Sequence, residues 1–172
     1  AKENRSATII EHIEIKDNMY IADIGCGPGR VTIPLAQQLR ANSTLVAVDI
    51  QNEMLNKVKK KADGIANIEF RQGAMGVGDR ILEKSKYDYI LLVNVLGEIP
   101  NQKKALQEIF QALTPSGTLS VTETIFDPHY QRLKALGRLA ELVGFKKGPV
   151  FGKWYSYTIH FIAEKPQQVI KG

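Results

Sequence analysis

Apolar residues recur along this chain with two different periods. Val31, Leu35 and Leu39 have the spacing of one helix face, and comparable helical segments separate five shorter apolar runs. These runs predict buried strands at residues 19–24, 44–49, 68–71, 87–95 and 117–124. Strands that alternate with helices in this way predict a parallel sheet with helices on both of its faces.

Two further helices are predicted. A brief helix is expected over residues 79–84. Asp127 and Pro128 favour the start of another helix, which ends at Gly144. The predicted buried face of this last helix consists of Leu133, Leu136, Leu139 and Leu142.

Two β-rich runs, residues 145–150 and 154–164, follow with no helix between them. They predict an antiparallel hairpin at one edge of the sheet, with residues 151–153 as its turn. The whole pattern predicts a single domain over residues 1–172, with its core at about 5–164.

Composition restricts the classes of protein to which this chain can belong. With 44% hydrophobic and 24% charged residues, it is typical of a globular domain. The single cysteine, Cys26, excludes a disulfide framework, and the three histidines lack zinc-ligand spacing, so we expect no metal site. No apolar run approaches the roughly 20 residues of a membrane helix, and the first residues form no apolar signal core. We therefore expect a cytoplasmic protein without a membrane span.

The chain is basic, with a formal net charge of +5. Such a charge can favour nucleic acid or an anionic membrane. However, no cluster of arginines and aromatic residues accompanies the main lysine run, which falls on the polar side of a predicted helix. The run consists of Lys57, Lys59, Lys60 and Lys61. We interpret it as a solvated helix face, so a nucleic-acid partner has no support from a motif.

Residues 20–30, with the sequence Y-I-A-D-I-G-C-G-P-G-R, combine a buried strand, a glycine turn and the start of a helix. Gly25, Gly27 and Gly29 allow positive φ angles and let a ligand approach more closely than a side chain would permit. The helix that follows directs unpaired N–H groups at the same place. The turn is therefore a candidate ligand site.

Asp49 closes the second predicted strand, 24 positions after Gly25. A carboxylate at this point can accept hydrogen bonds from both hydroxyl groups of a ribose. Each feature alone is common for structural reasons. Together they predict a nucleotide-like ligand beyond the carboxyl ends of the strands.

Five segments resemble, in order and in spacing, the motifs of class I S-adenosylmethionine-dependent methyltransferases. They are DIGCGPG, VAVDI with the following NEML, NIEFRQGAM, YDYILLVNVLGEI and LTPSGTLSVTE. The resemblance covers residues 5–164 and is nearest to the group that contains the ubiquinone/menaquinone-biosynthesis methyltransferases. It implies a doubly wound α/β fold with a seven-stranded, mostly parallel sheet and an antiparallel C-terminal hairpin. It also implies S-adenosylmethionine as the cofactor.

The resemblance assigns roles to residues around the glycine turn. Gly25, Gly27 and Gly29 would pass beneath the methionine part of the cofactor. Asp23 would support the turn and reach the methionine amino group through water. Cys26 is common at its position in the family and is interpreted as a packing residue.

Other implied cofactor residues follow the later strands. Asp49 would hold the ribose, and Ile50 would pack on the adenine ring. Ala74 and Met75 would line the adenine pocket, and Asn94 would contact the methionine amino group through its backbone carbonyl.

One residue departs from the family pattern. Many members carry an acid at the position of Ala74, where it binds the exocyclic amine of adenine. Adenine recognition in this chain would then depend on backbone groups or on Asp79.

The methyl acceptor is less clearly indicated. Methyl transfer is an in-line displacement that depends mainly on alignment and proximity, so a general base is optional and no catalytic residue is assigned. Glu98, His129 and Tyr130 are the candidates that face the substrate. Helix capping and exposed surface are their alternative roles.

Several acceptor classes lack the residues that they need. Residues 94–97 read Asn-Val-Leu-Gly where amino-methylating nucleic-acid enzymes carry Asn/Asp-Pro-Pro-Tyr, and one cysteine is too few for arsenite methylation. The resemblance to the ubiquinone/menaquinone-biosynthesis methyltransferases and their small-molecule relatives implies a small-molecule acceptor. Short segments before the first strand and after the fifth predict a site that is open, completed by a second copy of the chain, or suited to a bulky substrate.

Other classes of function fit part of the same pattern. A nicotinamide dehydrogenase shares the glycine turn and the ribose acid, but it normally has Gly-x-Gly-x-x-Gly and a substrate domain. A catalytically silent cofactor-binding or scaffold subunit would keep the cofactor residues, as would a methyltransferase that acts on RNA or protein.

Overall fold

The computed structural model describes residues 3–166, with side chains from residue 5 onward. Its strands are β1 (Tyr20–Ile24), β2 (Thr44–Asp49), β3 (Ile68–Gln72), β4 (Tyr87–Val93), β5 (Leu113–Thr124), β6 (Lys146–Lys153) and β7 (Ser156–Ile162). Its helices are α1 (Glu3–Glu11), α2 (Thr32–Gln38), α3 (Asn52–Lys61), α4 (Gln102–Ala112) and α5 (Leu133–Val143), with a 3₁₀ turn at Leu96–Glu98. Residues 1, 2 and 167–172 of the predicted domain lie outside this description.

In the described part of the chain, seven strands form one sheet in the order β3-β2-β1-β4-β5-β7-β6. The strands from β3 to β5 are parallel, whereas β7 lies antiparallel between β5 and β6. The predicted α/β fold and its antiparallel hairpin are confirmed. Ile24 of β1 pairs with Val48 of β2 and with Leu92 of β4, so the carboxyl ends of these strands meet at one edge.

Helices cover both faces of the sheet because successive strand residues point to opposite sides. Ala22 packs in a core with α4 and α5, whereas its neighbour Ile21 packs in a second core with α1 and α2. Leu55 and Val58 of α3 pack against Ala47 of β2. Burial on both faces explains why the strands are continuous apolar runs in the sequence.

The prediction of a helix over residues 79–84 is wrong, since this segment is an irregular loop. Gly78 and Arg80 have positive φ angles, which are incompatible with a right-handed helix. The Arg71 guanidinium of β3 donates a hydrogen bond to the carbonyl of Ile81 at 2.8 Å and so holds the loop in place.

The last helix begins later than the sequence predicts. α5 starts at Leu133 rather than at Pro128. The Asp127 carboxylate accepts a hydrogen bond from the N–H of His129 at 2.8 Å, so it closes a local turn instead of capping the helix. The predicted end of the helix at Gly144 is confirmed.

The buried face of α5 differs from the predicted face at one position. Leu136 is buried, and Leu133 and Leu139 pack against the same core. Leu142, however, is 74% exposed. Val143, two helical turns after Leu136, continues the apolar face in its place.

The turn of the hairpin also lies later than predicted. Trp154 and Tyr155 connect β6 to β7, whereas residues 151–153 belong to β6. A side chain at Gly152 would collide with the carbonyl oxygen of Ser156. This glycine therefore permits a close approach of two strands instead of forming the turn.

Two general properties of residues 3–166 bear on function. None of their helices combines the length and apolar composition that a membrane crossing requires. No group of three or more His, Cys, Asp or Glu side chains in this range is arranged to hold a metal ion.

Candidate cofactor site

The glycine turn between β1 and α2 uses its three glycines for different purposes. Their φ angles are +67° at Gly25, +53° at Gly27 and +88° at Gly29. A side chain at Gly25 would collide with Val95, and a Cβ at Gly29 would lie 3.1 Å from Val58 of α3. A Cβ at Gly27 would have no protein atom within 4 Å. Gly27 therefore faces open space into which a ligand can come close to the backbone.

Asp23 lies behind the turn. It is buried, and its Oδ2 accepts a hydrogen bond from the Thr32 hydroxyl of α2 at 2.7 Å. Burial raises the pKa of Asp23 to about 6, and the hydrogen bond from Thr32 opposes part of this rise. Asp23 thus connects β1 to α2 beneath the turn.

Cys26 is a buried thiol within the turn. Burial raises its pKa to about 12, and the neighbouring Asp23 and Asp49 contribute to the rise. A thiol with this pKa is protonated near neutral pH and is a poor nucleophile. Its contacts with Ala47 and Leu55 are those of a packing residue.

Asp49 lies at the carboxyl end of β2 and contacts the glycine turn directly. Its Oδ2 accepts a hydrogen bond from the N–H of Gly27 at 3.0 Å, and its Oδ1 accepts one from the N–H of Gln51 at 2.8 Å. Each carboxylate oxygen can accept more than one hydrogen bond. Asp49 can therefore hold the turn and still accept hydrogen bonds from a ligand.

A cavity of about 620 Å³ opens beside Gly27 at the carboxyl edge of the sheet. Its wall contains eight of the residues that the sequence selected: Gly25, Gly27, Asp49, Ile50, Ala74, Met75, Asn94 and Glu98. Asp23 and Gly29 do not line it. We define this space as the cofactor cavity.

The sequence analysis missed other residues in the wall of the cofactor cavity. They are Ile24, Gln51, Met54, Gly73, Val77, Val93, Val95, Ile99 and Pro100. Most of them lie within a few positions of a selected residue, in the segments that leave the strand ends. These residues could have been selected because they follow the ends of predicted strands. Their neutral and apolar side chains, however, do not indicate which ligand would bind.

Asn94 fixes the end of β4 to β5. Its N–H donates to the carbonyl of Thr122 at 2.9 Å, and its side-chain oxygen accepts from the N–H of Thr124 at 3.0 Å. Asn94 has a φ angle of +54°, which turns the chain away from the strand direction at the wall of the cavity.

The three substrate-facing candidates do not all meet at the cofactor cavity. Glu98 lines it. The backbone of His129 lies so close to Gly97 that a side chain on this glycine would collide with the His129 carbonyl oxygen. Tyr130 is turned elsewhere, because its hydroxyl donates to the Trp154 carbonyl of the hairpin turn. Gly97, which precedes Glu98, and the backbone of His129 are thus neighbours, and Tyr130 holds the loop to the hairpin.

A buried carboxylate that the sequence did not reveal lies near the end of β5. Glu123 is 1% exposed, and its Oε2 accepts a hydrogen bond from the N–H of Gln131 at 3.3 Å. Its Oε1 has no hydrogen-bond partner among the described residues. Burial raises the pKa of Glu123 to about 7.

A second large cavity, of about 600 Å³, lies between residues 80–84 and α4. Of the residues selected from the sequence, only Met75 lines it. Neither the glycine turn nor Asp49 lines this second cavity, so we do not assign it to the cofactor.

The strand order and the glycine turn together define a Rossmann-like methyltransferase fold. A family model described as a methyltransferase domain matches residues 15–146. The crystal structure of an S-adenosylmethionine-dependent methyltransferase from Aquifex aeolicus has a TM-score of 0.81 at 19% identity, with 92% of this chain and 89% of that chain covered. This chain belongs to the family of that methyltransferase domain, and its fold is that of the class I S-adenosylmethionine-dependent methyltransferases.

Two curated proteins are similar to this chain over much of its length. The probable methyltransferase ltbC of Aspergillus luteorubrus is 30% identical over 147 residues, which cover 80% of this chain and 50% of that protein. The ubiquinone/menaquinone biosynthesis C-methyltransferase UbiE of Rickettsia typhi is 28% identical over 147 residues, covering 83% and 52%. The chain thus spans about half the length of these relatives.

Proposed function

We propose that this protein binds S-adenosylmethionine in the cofactor cavity and transfers its methyl group to a small-molecule acceptor. The observation that carries the proposal is the open space in front of Gly27, with the Asp49 carboxylate in the same cavity wall. The family membership supports the same cofactor.

The size and lining of the cofactor cavity fit a nucleoside-type ligand. Its volume of about 620 Å³ falls within the roughly 300–1,000 Å³ of ordinary small-molecule sites. Asp49 supplies the acceptor for ribose hydroxyls, and Ile50 and Met54 supply apolar surface for a base. A carboxylate oxygen of Asp79 lies 4.0 Å from the place of a Cβ on Gly73. Asp79 is not among the residues that line the cofactor cavity, so adenine recognition through backbone groups or through Asp79 stays our proposal in place of an acid at residue 74.

Gly27 and Asp49 would hold the cofactor at the cavity wall, where it would supply an electrophilic methyl group on a sulfonium. The protein's own residues position the reacting groups. Asn94 holds the end of β4 at the cavity wall, and Glu98 lies on the same wall to orient an acceptor. Such alignment is the main source of rate in a displacement of this kind.

Titration calorimetry with S-adenosylmethionine, S-adenosylhomocysteine, NAD⁺ and NADP⁺ tests the proposal. We expect the two sulfur compounds to bind and the dinucleotides not to bind. Binding of a dinucleotide alone would favour a dehydrogenase. Binding of S-adenosylmethionine without methyl transfer to any member of a broad acceptor panel would favour a silent cofactor-binding subunit.

A further inference from the structure

A small pocket of about 140 Å³ adjoins the cofactor cavity on the α1 side of the sheet. It lies between α1 and the ends of β4, β5 and β7. Val93 and Asn94 line both the pocket and the cofactor cavity. A molecule in this pocket would therefore be separated from the cofactor only by the end of β4. We call this space the threonine pocket.

Hydroxyl groups form one wall of the threonine pocket. Oγ1 of Thr122 and Oγ1 of Thr158 lie 2.7 Å apart in a hydrogen bond between β5 and β7. One hydroxyl donates to the other in this pair, so the second keeps its own O–H free for another acceptor. Thr124 and Ser156 also line the pocket. The wall can therefore donate hydrogen bonds to oxygen atoms of a ligand.

Arg5 of α1, an exposed residue, gives the pocket its charge. Among the described residues that line the pocket, it is the only charged one. Within residues 5–166, no carboxylate forms an ion pair with it. A guanidinium with no carboxylate partner among residues 5–166, beside hydroxyl donors, matches a carboxylate. One positive charge balances a carboxylate but leaves part of the charge of a phosphate uncompensated.

We propose that the threonine pocket is the acceptor site and that it selects a compact acceptor carrying a carboxylate. The carboxylate binds Arg5 and the threonine hydroxyls, while the methyl-accepting atom lies at the Asn94 end beside the cofactor cavity. A volume of about 140 Å³ equals roughly four or five water molecules at ~30 Å³ each, so only a small group enters. This assignment rests on the function proposed above.

The test compares a carboxylate with an uncharged molecule of the same shape. Benzoate and benzamide are titrated into the protein saturated with S-adenosylhomocysteine, with binding followed by NMR of the threonine methyl groups. We expect benzoate to bind about five- to tenfold more tightly than benzamide and to shift the signals of Thr122 and Thr158. In the variant Arg5→Gln this preference should disappear, since the guanidinium is lost.

Arg40→Gln is the matched control. Arg40 is an exposed arginine between α2 and β2, at the opposite edge of the sheet, so this variant should keep the preference for benzoate. Equal binding of the two probes, binding of neither, or a preference that survives Arg5→Gln would overturn the assignment. Failure of S-adenosylhomocysteine to bind the wild-type protein would instead contradict the proposed function, which keeps the two failures distinct.

Discussion

The N–H of Gly27 donates a hydrogen bond to the carboxylate of Asp49 at 3.0 Å, although 22 residues separate them in the chain. The acid proposed to hold the ribose and the glycine proposed to approach the cofactor are therefore one hydrogen-bonded unit. A substitution of Asp49 would remove the proposed ligand contact and also the hydrogen bond that holds the turn. Predictions about either residue have to separate these two effects.

We predict that Asp49→Ala weakens the binding of S-adenosylmethionine by about 1.5–3 kcal/mol, the usual range for hydrogen bonds to a charged group. The Tm without ligand should also fall, because the N–H groups of Gly27 and Gln51 lose their acceptor. Calorimetric titration and a thermal melt measure the two effects. Asp63→Ala, an exposed acid after α3, is the control. Unchanged cofactor affinity in a folded Asp49→Ala protein would refute the ribose assignment.

Gly27→Val should abolish cofactor binding, because the branched side chain would occupy the open space in front of the turn. Gly64→Val is a matched control, since Gly64 also has a positive φ, +81°, and no protein atom within 4 Å of its Cβ position. Both variants carry a similar backbone strain, of about 1–2 kcal/mol. Only Gly27→Val should lose affinity in a titration with S-adenosylhomocysteine. Equal affinity in the two variants would mean that the ligand lies elsewhere.

Glu123→Gln should stabilise the protein at alkaline pH. The pKa of Glu123 is raised from 4.5 to about 7, so the folded state binds more protons than the unfolded state between these values. Stability from this group is present below pH 4.5 and is lost as pH rises through 7. Glutamine cannot ionise, so the variant should gain about 1–3 kcal/mol at pH 8 and change little at pH 4.5.

Urea unfolding at the two pH values measures the effect of Glu123→Gln. Glu141→Gln, which changes an exposed acid of α5, controls for the loss of one negative charge. A Glu123→Gln protein no more stable than wild type at pH 8 would contradict the burial of an ionised carboxylate.

Substitutions of Glu98 and Tyr130 should have different effects, the first on turnover and the second on stability. Glu98 lines the cofactor cavity, so Glu98→Gln should lower kcat about tenfold, the effect of one lost orienting hydrogen bond, with cofactor affinity unchanged. Tyr130→Phe should lower stability by about 1 kcal/mol, because its hydroxyl bonds the Trp154 carbonyl. Assays of turnover, cofactor binding and unfolding distinguish these outcomes. Loss of turnover in Tyr130→Phe alone would reverse the assignment.

Much of the fold could be predicted because the strands are buried on both faces and are separated by clear helical periods. The predictions failed where local signals competed with tertiary contacts. Asp127 carries a helix-cap signal but closes a turn with His129, and Gly152 carries a turn signal but lies inside β6. In each case the local structure is determined by a contact that forms only when the surrounding loop or strand folds, and a single sequence does not reveal such contacts.

The cofactor residues were easier to predict than the acceptor residues for a physical reason. A nucleoside ligand imposes glycines and an acid at fixed places relative to strand ends, as at Gly27 and Asp49. The threonine pocket depends on which residues of α1, β5 and β7 come together across the sheet, and Arg5 and Thr158 have no common sequence signal. A second copy of the chain over the open edge of the site stays a prediction.

The most direct test of the central claim uses S-adenosylmethionine labelled with ¹³C in its methyl group. Bound to the protein, this methyl group should give nuclear Overhauser contacts to the side chains of Val93 and Val95, which line the cofactor cavity. Contacts instead to Ile81 and Leu82, in the cavity beside α4, or no binding at all, would contradict the account.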